Sequence, residues 1–194
     1  SLSDLFWRLK GGLGIAVMII GMLLAASTGI VGATVVTLGL LALPTMLKKG
    51  YSPEISAGTI CAAGTLGQII PPSIVLVMLG DVISSSFQYA QLSQGNFSPR
   101  TVSVGDLFAG ALIPGLVLVA FYLIYILVSG YFNPHAINQI KSHQPKRQSI
   151  KNILTALITP LFLIFSVLGS ILFGFATPTE AAGIGAFGAL LISY

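Results

Sequence analysis

Residues 55–80 carry no charged side chain, yet the run is interrupted at its centre by Gly64-Thr65-Leu66-Gly67-Gln68-Ile69-Ile70-Pro71-Pro72-Ser73. About 20 apolar residues suffice for a helix to cross a bilayer, so the run is long enough to span one. Pro71 and Pro72 have no backbone N–H, and each disfavours the helical region for the residue before it. Carbonyls about one turn upstream therefore lose their helical partners. In hydrocarbon such oxygens are costly unless protein, water or an ion satisfies them, so a break at this depth marks a cavity or a site. The break is expected to hold a cation and to lie beside a substrate.

The setting follows from what surrounds the break. Hydrophobic residues make up 55% of the 194-residue chain and charged residues only 7%, against roughly 25% charged in soluble domains. The sequence reads as an all-α polytopic membrane protein in contact with lipid. Its net charge of +4 comes from short basic clusters between apolar runs. Such clusters signal topology rather than a nucleic-acid-binding face. Cys61 is the only cysteine and lies in an apolar run. It excludes disulfides within the chain and reads as a small buried filler. His135 and His143 lie in a basic stretch without a nearby cysteine or carboxylate, so metal ligation by imidazole is not expected. Glu54, Asp81, Asp106 and Glu180 stand at the ends of apolar runs, where helix capping accounts for them. No nucleophile and base come together in the pattern, and the chain is read as neither an enzyme nor a holder of a cofactor.

Charge clusters divide the chain. Residues 1–10 put Leu2, Leu5, Phe6 and Leu9 on one helical face. They read as an interfacial arm helix with Trp7 near the lipid headgroups. Residues 11–47 are uncharged and flanked by Arg8 and Lys10 on one side and Lys48 and Lys49 on the other. The positive-inside rule puts both ends in the cytoplasm. Two spanning helices satisfy that, and so does a re-entrant helical hairpin whose tip stops near the midplane. The small, hydroxyl-bearing Ala25-Ala26-Ser27-Thr28-Gly29 at the midpoint favours the hairpin. Gly32 and Gly39 read as helix-packing positions, whereas Gly64 and Gly67, beside the prolines, read as parts of the break.

The broken transmembrane helix 55–80 then leads outward to an external loop at 81–106, and a transmembrane helix at 107–132 returns the chain. A cytoplasmic basic loop at 133–152 contains Lys141, Lys146, Arg147 and Lys151. A transmembrane helix at 153–176 crosses outward again. Thr177, Pro178 and Glu180 supply the N-cap, first-turn proline and capping-box glutamate of a further helix in 177–194. That helix lies in an apolar run beginning at Ala181, and residues 1–10 lack a secretory signal. A piece of a longer polypeptide is therefore expected.

Spans without Asp, Glu or His argue against a proton relay. Sodium is the better coupling ion, because unwound carbonyls and Ser or Thr hydroxyls can hold it without a formal negative charge. Half-helix N-termini then face anionic groups of the substrate.

Ala26-Ser27-Thr28-Gly29, Gly39, Pro44-Thr45-Met46, Gly50-Tyr51, Gly64-Thr65-Leu66-Gly67 and Ile70-Pro71-Pro72-Ser73 follow one another in an order that resembles a known family. That family is the large membrane subunit of tripartite ATP-independent periplasmic (TRAP) transporters, the DctM-like subunit. Ser103-Val104-Gly105-Asp106-Leu107-Phe108, Gly110, Pro114-Gly115 and Thr177-Pro178-Thr179-Glu180-Ala181-Ala182 extend the likeness over nearly the whole chain. The resemblance implies a multi-pass protein of the bacterial inner membrane, forming most of the first inverted repeat of an elevator-type transporter and, at 177–194, the truncated start of the second. It implies a sodium gradient as the driving force and a small organic anion, a carboxylate, as the substrate. A small membrane (Q) subunit and a periplasmic substrate-binding protein are the implied partners. Carried over by position, Ser27, Thr28, Gly29, Gly67, Ile70 and Pro72 would hold sodium, with Gly64, Thr65 and Ser73 near the substrate. Where many members have Ser-Gly-Ser at the tip, this sequence has Thr28-Gly29-Ile30, and its loop at 84–100 is longer than in compact members.

A different class of function, a non-transporting membrane scaffold or assembly subunit, would use the glycines only for packing. A channel would need a continuous polar path, and the absence of charged rings counts against it. On the transport reading, Thr28→Val or Gly67→Val should lower apparent sodium affinity and leave insertion intact.

Overall fold

The computed structural model describes residues 11–132, residue 137 and residues 150–193. The expected arm at 1–10, both histidines and most of the basic loop at 133–152 lie outside these residues. Among the described residues the fold is helical: α1 (Gly12–Thr28), α2 (Val31–Lys48), α3 (Pro53–Thr65), a 3-10 turn (Leu66–Gln68), α4 (Ile74–Ser93), α5 (Val104–Phe132), α6 (Ile150–Leu172) and α7 (Pro178–Ser193).

Helix α1 is apolar on every side, so it has no face for water and takes the centre of the fold. It packs against α2, α3, the 3-10 turn, α5 and α6. Leu13, Ile15, Val17, Met18 and Ala25 are buried there. Its N-cap, Gly11, has no side chain to accept the first orphan N–H groups. The buried Tyr51, on the loop between α2 and α3, supplies that acceptor: the Gly14 N–H donates to its hydroxyl at 3.2 Å. Tyr51 also forms an isolated antiparallel bridge with Ile137. Tyr51→Phe should cost about 1 kcal/mol, the usual effect of losing a cap. The check is a lower unfolding temperature of the purified full subunit in detergent.

Much of the exposed surface of the outer helices is apolar. On α5, Ile113, Leu116, Phe121, Ile124 and Val128 are exposed, and on α2 and α4 so are Leu40, Leu41, Met78 and Val82. An apolar surface of this extent is one that meets lipid or other protein rather than water. Helices α2 and α5 are both long and apolar enough to cross a membrane. The 29 residues of α5 give a length of about 43 Å.

Three expectations change. The external loop placed at 81–106 is helical as far as Ser93. The polar side chains there serve the helix itself: Ser85 Oγ donates to the Asp81 carbonyl at 2.8 Å and Gln88 Nε2 to Ser84 Oγ at 3.2 Å. Polarity separates a solvated helix from a lipid-facing one, not a helix from a loop. The non-helical part that remains is organised by Gln91, which accepts from the Arg100 N–H at 3.1 Å and donates to the Arg100 carbonyl at 3.0 Å. Cys61, expected as buried filler, is exposed. Helix α3 turns Ser56, Thr59, Ile60, Ala63 and Gly64 inward, which leaves Cys61 on the outer side.

The third change concerns Gly32 and Gly39 on α2. Each was expected at a close helix contact, but no atom lies within 4 Å of where a Cβ would sit at either. The close contacts fall at the break instead. The capping box of the last helix forms as read from the sequence: the Thr177 N–H donates to Glu180 Oε2 at 2.8 Å, and the Glu180 N–H to Thr177 Oγ1 at 3.4 Å.

Candidate functional site

Two of the chain's non-helical turns, at residues 29–30 and 69–73, meet. Helix α1 ends at Gly29 in the left-handed region (φ 63°, ψ 9°), with its N–H donating to the Ala25 carbonyl at 2.9 Å. That conformation suits glycine and strains any residue with a Cβ. Two residues later α2 begins. The second turn follows α3, where Pro71 and Pro72 stand four residues after Gly67 and Gln68 and deny those carbonyls a helical donor. The Pro71-Pro72 peptide bond is cis. Ser73 then caps α4: its hydroxyl accepts from the Leu76 N–H at 3.3 Å and donates to the Gln68 carbonyl at 2.9 Å.

Proline thus orphans two carbonyls, and Ser73 recovers one of them. Among the described residues, no hydrogen bond reaches the carbonyls of Gly67, Ile70 or Pro72. A Cβ on Gly29 would stand 3.4 Å from the Pro72 carbonyl oxygen, so the hairpin tip rests against the break. A Cβ on Gly67 would stand 2.6 Å from the Ala25 carbonyl oxygen, and one on Gly64 would overlap the Val35 side chain. Packing against α1 and α2 therefore requires both of these glycines. The reason is geometric: α3 descends against α1 and α2 together, and only hydrogen fits at the two contacts.

The tip also carries a chain of hydroxyls. Thr28 Oγ1 and Thr34 Oγ1 lie 2.8 Å apart, and Thr34 Oγ1 donates to the Ile30 carbonyl at 2.9 Å. Thr28 Oγ1 has one other acceptor nearby, the Ala25 carbonyl at 3.4 Å. Ser27 Oγ donates to the Leu24 carbonyl at 2.8 Å.

Beside these turns lies a cavity of about 480 Å³. Ser27, Thr28, Gly29, Pro72, Ser73 and Ile74 form its near wall, and α6 and α7 form the far wall through Val167, Ile171, Pro178 and Ala182. Among the described residues, no charged side chain lines it. Its polar character comes from hydroxyls, carbonyls and the N-termini of α4 and α7. The N–H groups of Ile74 and Val75, in the first turn of α4, have no hydrogen-bond acceptor among the described residues.

Of the nine residues singled out in the sequence, Ser27, Thr28, Gly29, Pro72 and Ser73 reach this cavity. Gly64 is buried against Val35. Thr65 is exposed elsewhere and donates to the Ala62 carbonyl at 2.8 Å. Ile70 is buried with its side chain toward Gly115, and Gly67 sits behind the tip on Ala25. Sequence reasoning missed Thr34. Its signal was present: it stands four residues after Ile30 and four before Leu38, on the inward stripe of α2 that begins beside the turn.

Over residues 2–194 the chain matches the family model described as the tripartite ATP-independent periplasmic transporter, DctM component. The chain belongs to the TRAP transporter DctM family. It is 37% identical over 182 residues to the C4-dicarboxylate TRAP transporter large permease protein DctM of Vibrio cholerae, covering 91% of this chain and 34% of that protein. To the protein of the same description in Rhodobacter capsulatus it is 36% identical, over 94% of this chain and 40% of the relative. It is 32% identical to the isethionate TRAP transporter permease protein DctMQ of Oleidesulfovibrio alaskensis, over 98% of this chain and 27% of the relative. The chain thus spans about a third of the length of the curated relatives it matches. These relatives are permeases rather than enzymes, and the apolar helices agree with a multi-pass protein of the inner membrane. No solved structure matches the chain.

Proposed function

We propose that this DctM segment carries most of the first repeat of a sodium-coupled, elevator-type permease that imports a small organic anion across the inner membrane. A periplasmic binding protein delivers the anion, and the small Q subunit completes the membrane part. The observation that carries this reading is the meeting of the hairpin tip and the helix break around one uncharged, oxygen-bearing cavity. Sodium is co-substrate here. Thr28 Oγ1 and the Pro72 carbonyl are the oxygens of this chain that fit it best, and the Gly67 and Ile70 carbonyls complete the candidate set. Relatives described for C4-dicarboxylate and isethionate handle anions, which supports that substrate class. The N-terminus of α4, at Ser73 and Ile74, is the anion-attracting element of the cavity.

A re-entrant hairpin fits the depths of the elements. Ile69 and Ile70, at the break, stand against Gly115 of α5. Gly115 lies eleven residues, about 17 Å, from the first residue of that long helix. The tip adjoins the break, so it too ends well short of the far end of α5, and α4 continues past both.

The test is uptake into liposomes containing the full subunit, its Q subunit and the binding protein, with the substrate that the binding protein recognises. Replacing sodium by choline should reduce uptake at least about tenfold, as expected for obligatory ion coupling. Uptake unchanged in choline removes the sodium-coupled reading.

A further inference from the structure

We infer that Thr34 is a positioning residue for cation coordination at the hairpin tip: it accepts the Thr28 hydroxyl proton and so leaves the Thr28 lone pairs directed at the cavity. This rests on the sodium reading above.

The inference comes from counting protons in the hydroxyl chain. Each threonine hydroxyl has one proton to donate and two lone pairs. Thr34 is 2% exposed, so water does not take part. Its hydroxyl donates to the Ile30 carbonyl at 2.9 Å, which uses its only proton. The 2.8 Å contact between the two hydroxyls must then be a donation from Thr28 to Thr34. The other arrangement would have Thr34 donating to Thr28 and Thr28 donating to the Ala25 carbonyl, a contact of 3.4 Å. That arrangement exchanges a good hydrogen bond for one at the limit, and the Ala25 carbonyl already accepts from the Gly29 N–H at 2.9 Å.

With its proton held by Thr34, Thr28 has both lone pairs unused. A hydroxyl binds a cation through lone pairs, with its proton turned away. Thr28 lines the cavity and Thr34 does not, so the ligand and the group that orients it are separated by one hydrogen bond. Helix geometry sets the arrangement: the first turn of α2 brings residue 34 back beneath the Gly29–Ile30 turn, where its backbone N–H also donates to the Ile30 carbonyl at 3.3 Å.

The experiment measures sodium half-saturation of uptake with the full subunit, Q subunit and binding protein in liposomes. Thr34→Val keeps the volume and removes the proton acceptor. It should raise the sodium concentration for half-maximal uptake about fivefold, the worth of one hydrogen bond, and should alter the ratio of sodium-driven to lithium-driven uptake. Thr34→Ser restores the hydroxyl and should restore both readouts to within about twofold. Thr34→Cys, whose sulfur is a weak acceptor, serves as a second loss-of-acceptor variant if the valine protein fails to reach the membrane.

Wild-type sodium half-saturation in Thr34→Val or Thr34→Cys overturns the positioning role, as does an equal loss in Thr34→Ser. Those outcomes leave sodium coupling of the wild type intact. Wild-type uptake that is indifferent to choline replacement removes the sodium reading, and the role of Thr34 with it.

Discussion

Gly67→Ala, the addition of one methyl group, should lower the stability of the full subunit by about 3 kcal/mol, at the upper end of the cost of overpacking. The new Cβ would stand 2.6 Å from the Ala25 carbonyl oxygen and 3.0 Å from the Ala25 Cβ. Neither atom is the flexible end of a side chain. The obstacle is the backbone of α1, itself held on several sides, so the 3-10 turn must move away. That turn is followed directly by Ile70 and Pro72, so the displacement carries the break away from the tip. An apparent unfolding temperature about 6 °C lower in detergent is expected, with loss, on the proposed reading, of most sodium-dependent uptake. The expectation from sequence alone, reduced sodium affinity with insertion intact for Gly67→Val, is therefore replaced by a folding defect. A Gly67→Ala protein with wild-type thermal stability would show that the turn is not seated on α1.

The second large effect is expected at Thr28. Thr28→Val keeps the shape of the side chain and removes a cavity hydroxyl whose proton is held by Thr34 and whose lone pairs are unused. On the proposed reading Thr28 is a ligand to a charged partner, a loss worth about 1.5–3 kcal/mol, so sodium half-saturation should rise about tenfold or more. Thr28→Ser should stay near the wild type. Because Thr28 is exposed to the cavity, the valine should leave detergent stability almost unchanged, which separates this variant from Gly67→Ala. Unaltered sodium half-saturation in Thr28→Val would remove this hydroxyl from the coordination sphere.

What could be read from the sequence was local chemistry. Pro71 and Pro72 forbid helix at their own position whatever surrounds them, so the break was visible without coordinates. The same holds for the Thr177–Glu180 box and for the small residues that end α1 at Gly29. Most of the misreadings depend on which side of a helix meets which neighbour. Gly32 and Gly39 look like packing residues but lie where no described element covers α2, whereas Gly64 and Gly67 meet Val35 and Ala25 because α3 descends on that side. Cys61 is exposed for the same reason. Thr34 looked like one more threonine in an apolar helix until the turn at Gly29 and Ile30 brought it beneath Thr28. The helical stretch from Asp81 to Ser93 was missed for another reason: its serines and glutamines bond within one turn, a pattern that composition does not reveal.

The unclaimed amides of Ile74 and Val75 suggest where discrimination among cargo molecules is made. A peptide N–H recognises negative charge wherever it arrives, whatever carbon skeleton bears it. On the proposed reading, an entry chamber whose attraction comes from main-chain dipoles, with Ser73 already committed at both its proton and its oxygen, would admit many acids alike. Selection would then fall to the protein that delivers the cargo, and exchanging that carrier should change the diet of the permease more readily than exchanging residues around its tip.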